Sequence, residues 1–263
     1  MHLIAVCGNL SISQNQQRRI SMAPIQLINE ASPIIAGIGG AFYFDEATIS
    51  RGKALGLDGF RFYMLGRCGV LGDVEADVVE SAMGYFSKAT VQKIWNSAKD
   101  ILPPRDAGHE YMLCNQNFGV AKFSTLSHLS EYVAAATKII EAQERSSLAL
   151  FSGIAAEPVP KNPAAAAMQV TSVLREMRGS IHLSALFSSG ITAEMAHRVK
   201  RPNETSFFGW EDGPNPTEDD RSNWGKAEAL TNDLLIPAWS TVSDSEGDLI
   251  LSTVTKMQAI LAN

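Results

Sequence analysis

Arg175, Arg178 and His182 stand at i, i+3 and i+7. On a helix that spacing puts three potential cations in one row. An arginine fork matches the two oxygens of a carboxylate, so the row could hold an anionic ligand. Glu176 lies beside it and could orient a histidine. The plainer alternative is a solvated stripe whose arginines pair with surface acids. Two features favour a site. Val170, Val173, Leu174, Met177 and Ile181 form an apolar stripe that brings the row to the edge of a core. Gly179 interrupts a helical pattern at a cost of about 1 kcal/mol relative to alanine. Close packing, a kink or the approach of a ligand would explain it there. Arg175 and His182 are therefore expected to share a buried polar site. Glu176 is about 100° round the helix from Arg175, so the acceptor for Arg175 is expected from another segment or from a ligand.

Arg67 is the second candidate. It closes an amphipathic segment in which Phe60, Tyr63, Met64 and Arg67 recur at helical spacing, and it enters the turn Gly66-Arg67-Cys68-Gly69-Val70-Leu71-Gly72-Asp73. A helix C-terminus suits an arginine electrostatically. The functional alternative is a guanidinium held inside a bundle to fix an acid. Trp210, in Phe207-Phe208-Gly209-Trp210, is expected to close the pocket. No metal site is expected: His109, Glu110 and Cys114 are the nearest approach to a ligand set and lack a second liganding pair. Neither a Walker loop, a dinucleotide fingerprint, HExxH nor a nucleophile elbow occurs, and no cofactor is identified.

The elements that must position these residues read as helices throughout. Helical patterning covers 24–39, with Ser32-Pro33 as a kink or second start, then 46–55 and 58–67. Asp73 is expected to cap the next helix, Ser87 to cap one ended by Pro103-Pro104, and 107–123 and 125–145 to follow. Residues 146–162 read as a loop. Asn162-Pro163 opens a helix to 178 that 181–188 continue or follow as a second one. Thr192 caps 193–200, residues 201–221 are a polar loop, and 222–235 form a helix ended by Pro237. Ser243 to Glu246 is a capping box opening the last helix. No run alternates with period two, so the expected class is all-α, a multi-helix bundle. Residues 1–21 are expected to be a disordered extension with Met22 as the functional start. An N-terminal half over 22–150 would then pack against a C-terminal half over 151–263.

The chain has 263 residues, Lys+Arg 22 against Asp+Glu 28, and a net charge of −6. It is long enough to bury an ordinary core without disulfides. Cys7, Cys68 and Cys114 are odd in number and without CxxC spacing, which points to reduced thiols in the cytoplasm. No stretch approaches the roughly 18 apolar residues of a membrane span. The negative charge, with Glu211, Asp212, Glu218, Asp219 and Asp220 in one loop, argues against nucleic acid as a partner.

Five segments carry a family resemblance: Ala41 to Glu46, Gly66 to Val74, Leu174 to His182, Gly209-Trp210 and Glu228 to Asp233. Over about 25–260 the chain resembles a family of helical actinobacterial proteins commonly described as helix-turn-helix proteins. The family's third motif runs Arg-Glu-His-Arg-Gly-Asp-Gly-His. Here Met177, Ser180 and Ile181 replace its first His, Asp and Gly, while Arg175, Glu176, Arg178, Gly179 and His182 remain. Two potential metal ligands are thus gone, and an anion-binding or structural role survives better. The resemblance also implies a winged-helix-like C-terminal part, degenerate here because 211–226 pass from an acidic loop straight into a helix. The best basic candidate for a recognition helix is 192–201, with His197, Arg198, Lys200 and Arg201.

Three readings follow. The first is a helical protein that binds a small polar or anionic ligand between its helices, through Arg67, Arg175, Glu176, Arg178, His182 and Trp210, with a homodimer left open. The second is a helix-turn-helix transcription regulator. The third is an enzyme with His182 as general acid or base.

Overall fold

The computed structural model describes residues 23–210 and 213–262. The expected extension over 1–21, the start at Met22 and the acids Glu211 and Asp212 lie outside the described residues. Every regular element among those described is helical, as the missing period-two alternation predicts, and no strand supplies a wing.

The first half of the chain forms α1 (Pro24–Gly40), α2 (Glu46–Ala54), α3 (Gly59–Cys68), α4 (Ala76–Met83), α5 (Lys88–Lys99), α6 (Pro104–Phe123) and α7 (Leu129–Ala142). The second half forms α8 (Ala149–Ala155), α9 (Pro163–Ser188), α10 (Ala193–Lys200), α11 (Glu218–Trp239) and α12 (Asp244–Leu261).

The axis of the molecule is α9. Asn162 accepts hydrogen bonds from Ala164 N and Ala165 N, and Pro163 supplies a preset φ at the first position. From Ala164 to Leu174 every side chain is buried. A helix buried all round belongs in the middle of a fold, and its polar Gln169, Thr171 and Ser172 are satisfied by the carbonyls of Glu157, Ala167 and Gly39. It packs against α1, α6, α7, α8 and α11. One continuous core runs from Leu27 in α1 to Met257 in α12, and a small satellite of Ala185, Leu186, Ile191, Ala196 and Ala227 joins the end of α9 to α10 and α11. Gly69 is forced by close approach: a Cβ there would stand 2.0 Å from Pro104 O, where α3 ends against α6.

Four local expectations are corrected. Pro33 neither breaks nor restarts α1, which runs through it. Asp73 caps nothing and instead meets Lys99 Nζ at 2.7 Å, while Glu75 stands at the start of α4. Residues 149–155, expected within a loop, form α8, whose Leu150, Phe151 and Ile154 are buried. The helix expected over 222–235 begins earlier, where Thr217 and Asp220 make a capping box, and runs through Pro237 to Trp239. Burial of Leu235, Ala238 and Trp239 outweighs the roughly 3 kcal/mol that an interior proline costs. No described helix is long and apolar enough to cross a membrane.

Candidate functional site

Residues 175–182 sit in the second half of α9, and their side chains enter two polar systems. The first is centred on Glu176. Arg67, at the end of α3, grips it with both arms of its fork: Nε to Oε1 at 3.1 Å and Nη2 to Oε2 at 2.7 Å. Tyr43, just beyond α1, donates to Oε1 at 2.8 Å. Arg175 Nη1 donates to Tyr43 Oη at 2.7 Å and also to Glu176 Oε1. Tyr63 accepts from Arg67 Nη1 at 2.8 Å. The Glu176 side chain is only 3 % exposed. Burial alone would push its carboxyl up, but Arg67, Arg175 and the hydrogen bond from Tyr43 outweigh it and hold it at about 2.

Two expectations change here. Glu176 orients no histidine; it is the shared counter-ion of two arginines. Part of the acceptor for Arg175 is its own neighbour, because the long guanidinium folds back to reach it, and Tyr43 supplies the rest. Arg67 does hold an acid inside the bundle, and the acid belongs to the protein.

The second system joins α9 to α11. Arg178 Nη2 donates to Glu228 Oε2 at 2.7 Å, and Lys200 Nζ lies 3.7 Å from Glu228 Oε1. His182 Nδ1 is 2.8 Å from Thr231 Oγ1, whose own proton goes to Ala227 O at 2.6 Å. A hydroxyl has one proton to give, so His182 must be the donor and carries its hydrogen on Nδ1. Its Nε2 then faces Glu228 Oε1 at 3.4 Å. Burial pushes the imidazole down to about 4, although Glu228 pulls the other way. At neutral pH it is an uncharged hydrogen-bonding group rather than a cation in the row, and a poor proton shuttle.

Arg67, Arg175, Glu176, Arg178 and His182 all line one cavity of about 250 Å³, bounded by α9, α10, α11 and the turn between α4 and α5. Gly179 lines it too, and a Cβ there would meet nothing within 4 Å. The glycine thus faces open space, and no second backbone packs on it. Trp210 is not part of the wall. Its Nε1 donates to Tyr85 O at 2.8 Å, fixing from behind a residue that does line the cavity. Sequence reasoning missed the far wall: His197, Trp224 and Trp239 bear side-chain nitrogens (Nε2, Nε1 and Nε1) that are buried without a protein partner, as is Arg178 Nε. A buried tryptophan N–H that needs a partner was the available signal. Among the described residues no group of three or more His, Cys, Asp and Glu is arranged to hold a metal.

Next to the cavity lies a short helical unit. The pair α4 and α5 is joined by four residues, Gly84 to Ser87, with Gly84 at φ +72° and Ser87 capping α5. Both α3 and α4 pack on α5. Val91, Trp95 and Ala98 bury one side of α5, while Lys88, Ala89, Lys93 and Asn96 are exposed on the other. Along Lys88–Lys99 no residue is acidic. The basic helix favoured from sequence, α10, is placed otherwise: His197 and Arg198 are buried, and Arg198 Nη2 meets Glu194 at 2.8 Å.

A family model described as a helix-turn-helix family covers residues 29–206. The chain has no match among curated proteins or among solved structures. The family finding overturns the expectation that nucleic acid is no partner of this protein, since the helix-turn-helix is a nucleic-acid-binding motif. That expectation rested on the net charge and on the acids of 211–220, which lie past the matched residues, whereas such motifs act through the local face of one helix. The match covers most of the chain, including α4, α5 and the site-bearing part of α9, and the chain belongs to this helix-turn-helix family.

Proposed function

We propose that the protein binds a small polar or anionic ligand in the cavity beside α9. The carrying observation is that Arg67, Arg175, Arg178 and His182, from two distant parts of the chain, line one cavity whose far wall bears buried N–H groups without protein acceptors. A buried donor left unpaired costs about 1–3 kcal/mol, which an acceptor on a ligand recovers. In this reading Arg178 and His182 meet the ligand, the Arg67–Glu176–Arg175 system sets the shape of the floor, and Trp210 acts through the Tyr85 carbonyl. The test is native mass spectrometry of the purified protein with Arg178→Met and Lys226→Ala variants. A retained small molecule should be lost from the first variant and kept by the second. No retained mass, together with no thermal shift from any small anion, would remove the reading.

A second reading, a transcription regulator of the helix-turn-helix kind in the cytoplasm, is supported by family membership and by the acid-free face of α5. Gln92 and Asn96 can make bidentate contacts to adenine, and Lys93 stands between them. Lys88 and Lys99 are tied to Asp77 and Asp73 at 2.6 and 2.7 Å, so few phosphates are neutralised. Selection from a random duplex pool should yield a site whose affinity falls with salt by a slope of only about −1 to −3. Asn96→Ala should weaken it by about 1–3 kcal/mol. A selection that enriches nothing would dismiss this reading.

A further inference from the structure

The cavity is graded along its length. Ala185 and Leu186 at the end of α9 cluster with Trp224 and Ala227, while Leu174 and Met177 share the main core with Leu235 and Trp239, so α9 and α11 run antiparallel along it. At 1.5 Å per residue, Trp224 and Trp239 stand about 22 Å apart on α11. Near the Trp224 end the wall carries Arg178, His182, His197, Lys200 and Arg201. Near the Trp239 end it carries Ile35, Leu174, Met177 and Leu235. The charges do not cancel. Arg67, Arg175, Arg178, Lys200 and Arg201 line the cavity against the single carboxylate Glu176. Glu228 and Glu204 stand alongside, paired with Arg178 and Arg201.

We infer that the ligand of this cavity is an amphipathic organic acid, with its carboxylate at Arg178, His197 and Trp224 and its apolar body running along α11 toward Leu235. The inference rests on the ligand-binding reading above and names the ligand's chemistry. Three nitrogens on residues that line the cavity are buried without a protein partner: Arg178 Nε, Trp224 Nε1 and His197 Nε2. Glu228 Oε1, a buried carboxylate oxygen without a hydrogen bond, faces Lys200 Nζ at 3.7 Å. His197 is 4 % exposed and packs on Phe208 with ring centroids 4.1 Å apart, so its ring is fixed where it stands. Arginine and indole N–H groups can only donate, which selects an acceptor-rich head. Each lining cation already meets a carboxylate: Arg67 and Arg175 at Glu176, Arg178 and Lys200 at Glu228, and Arg201 at Glu204. No uncommitted pair of cations is left for a phosphate dianion, so the head is a single carboxylate. Ile35, Leu174, Met177 and Leu235 also line the cavity, so a head group alone would leave their apolar surface uncovered.

The test holds the tail constant and changes the head. Octanoate, 1-octanol and octylammonium are titrated into the full chain and followed by tryptophan fluorescence and thermal shift, with acetate as the head without a tail. Octanoate should bind at least tenfold more tightly than 1-octanol, and acetate and octylammonium should not bind in the same range. Trp224→Phe keeps the ring and removes the N–H, and should cost octanoate about tenfold while leaving 1-octanol unchanged. Equal binding of octanoate and 1-octanol would overturn the anionic head and leave the pocket reading standing. Binding of none of the four, with a small molecule still retained in native mass spectrometry, would overturn the acid alone. Binding of none, with nothing retained, would remove both, leaving the buried N–H groups to water.

Discussion

Glu176 serves two buried arginines, so its loss strands more than one charge. Glu176→Leu should destabilise the fold by about 3–5 kcal/mol, seen as a lower urea midpoint with an unchanged slope. Two titrations belong to this scale. His182 sits at about 4 when folded and at its ordinary 6.5 when unfolded. The unfolded chain therefore binds the proton first, and stability that is complete above pH 6.5 is lost as pH falls toward 4. Glu176 sits at about 2 against an ordinary 4.5, so its contribution is complete above pH 4.5 and is lost toward 2. A plot of melting temperature against pH should descend in two limbs, the upper flattened by His182→Asn and the lower by Glu176→Gln. The row Arg175, Arg178 and His182 was legible because helical spacing is local. Its partners Tyr43, Glu228 and Thr231 were not, because nothing in a local pattern says which distant helix will lie across it.

Two glycines separate the uses of that residue at the level of elements. Gly69→Ala would set a methyl against Pro104 O and force α3 and α6 apart, at a cost of about 3 kcal/mol. Gly179→Ala meets no atom, removes the mid-helix penalty and should gain about 1 kcal/mol, raising the melting temperature by about 2–4 °C. Its methyl would enter the cavity, so octanoate affinity should fall in the more stable variant. Helix starts with side-chain caps, at Asn162, Thr192 and Ser243, could be read from the chain. The short α8 and the passage of α11 through Pro237 could not, because tertiary burial rather than propensity maintains them.

At the scale of the whole molecule, α9 packs on helices of both halves and ties them into one continuous core. Native-state hydrogen exchange should find the slowest amides between Ala166 and Ile181 and fast ones in α2 and α10, which have few packed neighbours. An all-helical class followed from the absence of period-two alternation over the full length. The partner expectation was corrected at this same scale by the family match, because a net charge of −6 and an acidic loop at 211–220 say nothing about the helices within residues 29–206.

The family region stops at residue 206. Trp224, Glu228, Thr231 and Trp239 all lie beyond it, on α11, and so does the Trp210 clasp on Tyr85. The cavity is thus built from both sides of that boundary: α9, the Glu176 knot and the α4–α5 unit lie within the matched residues, and the α11 wall lies past them. A fragment ended at residue 206 would keep Glu176 with Arg67, Arg175 and Tyr43, and would take Glu228 from Arg178 and Thr231 from His182.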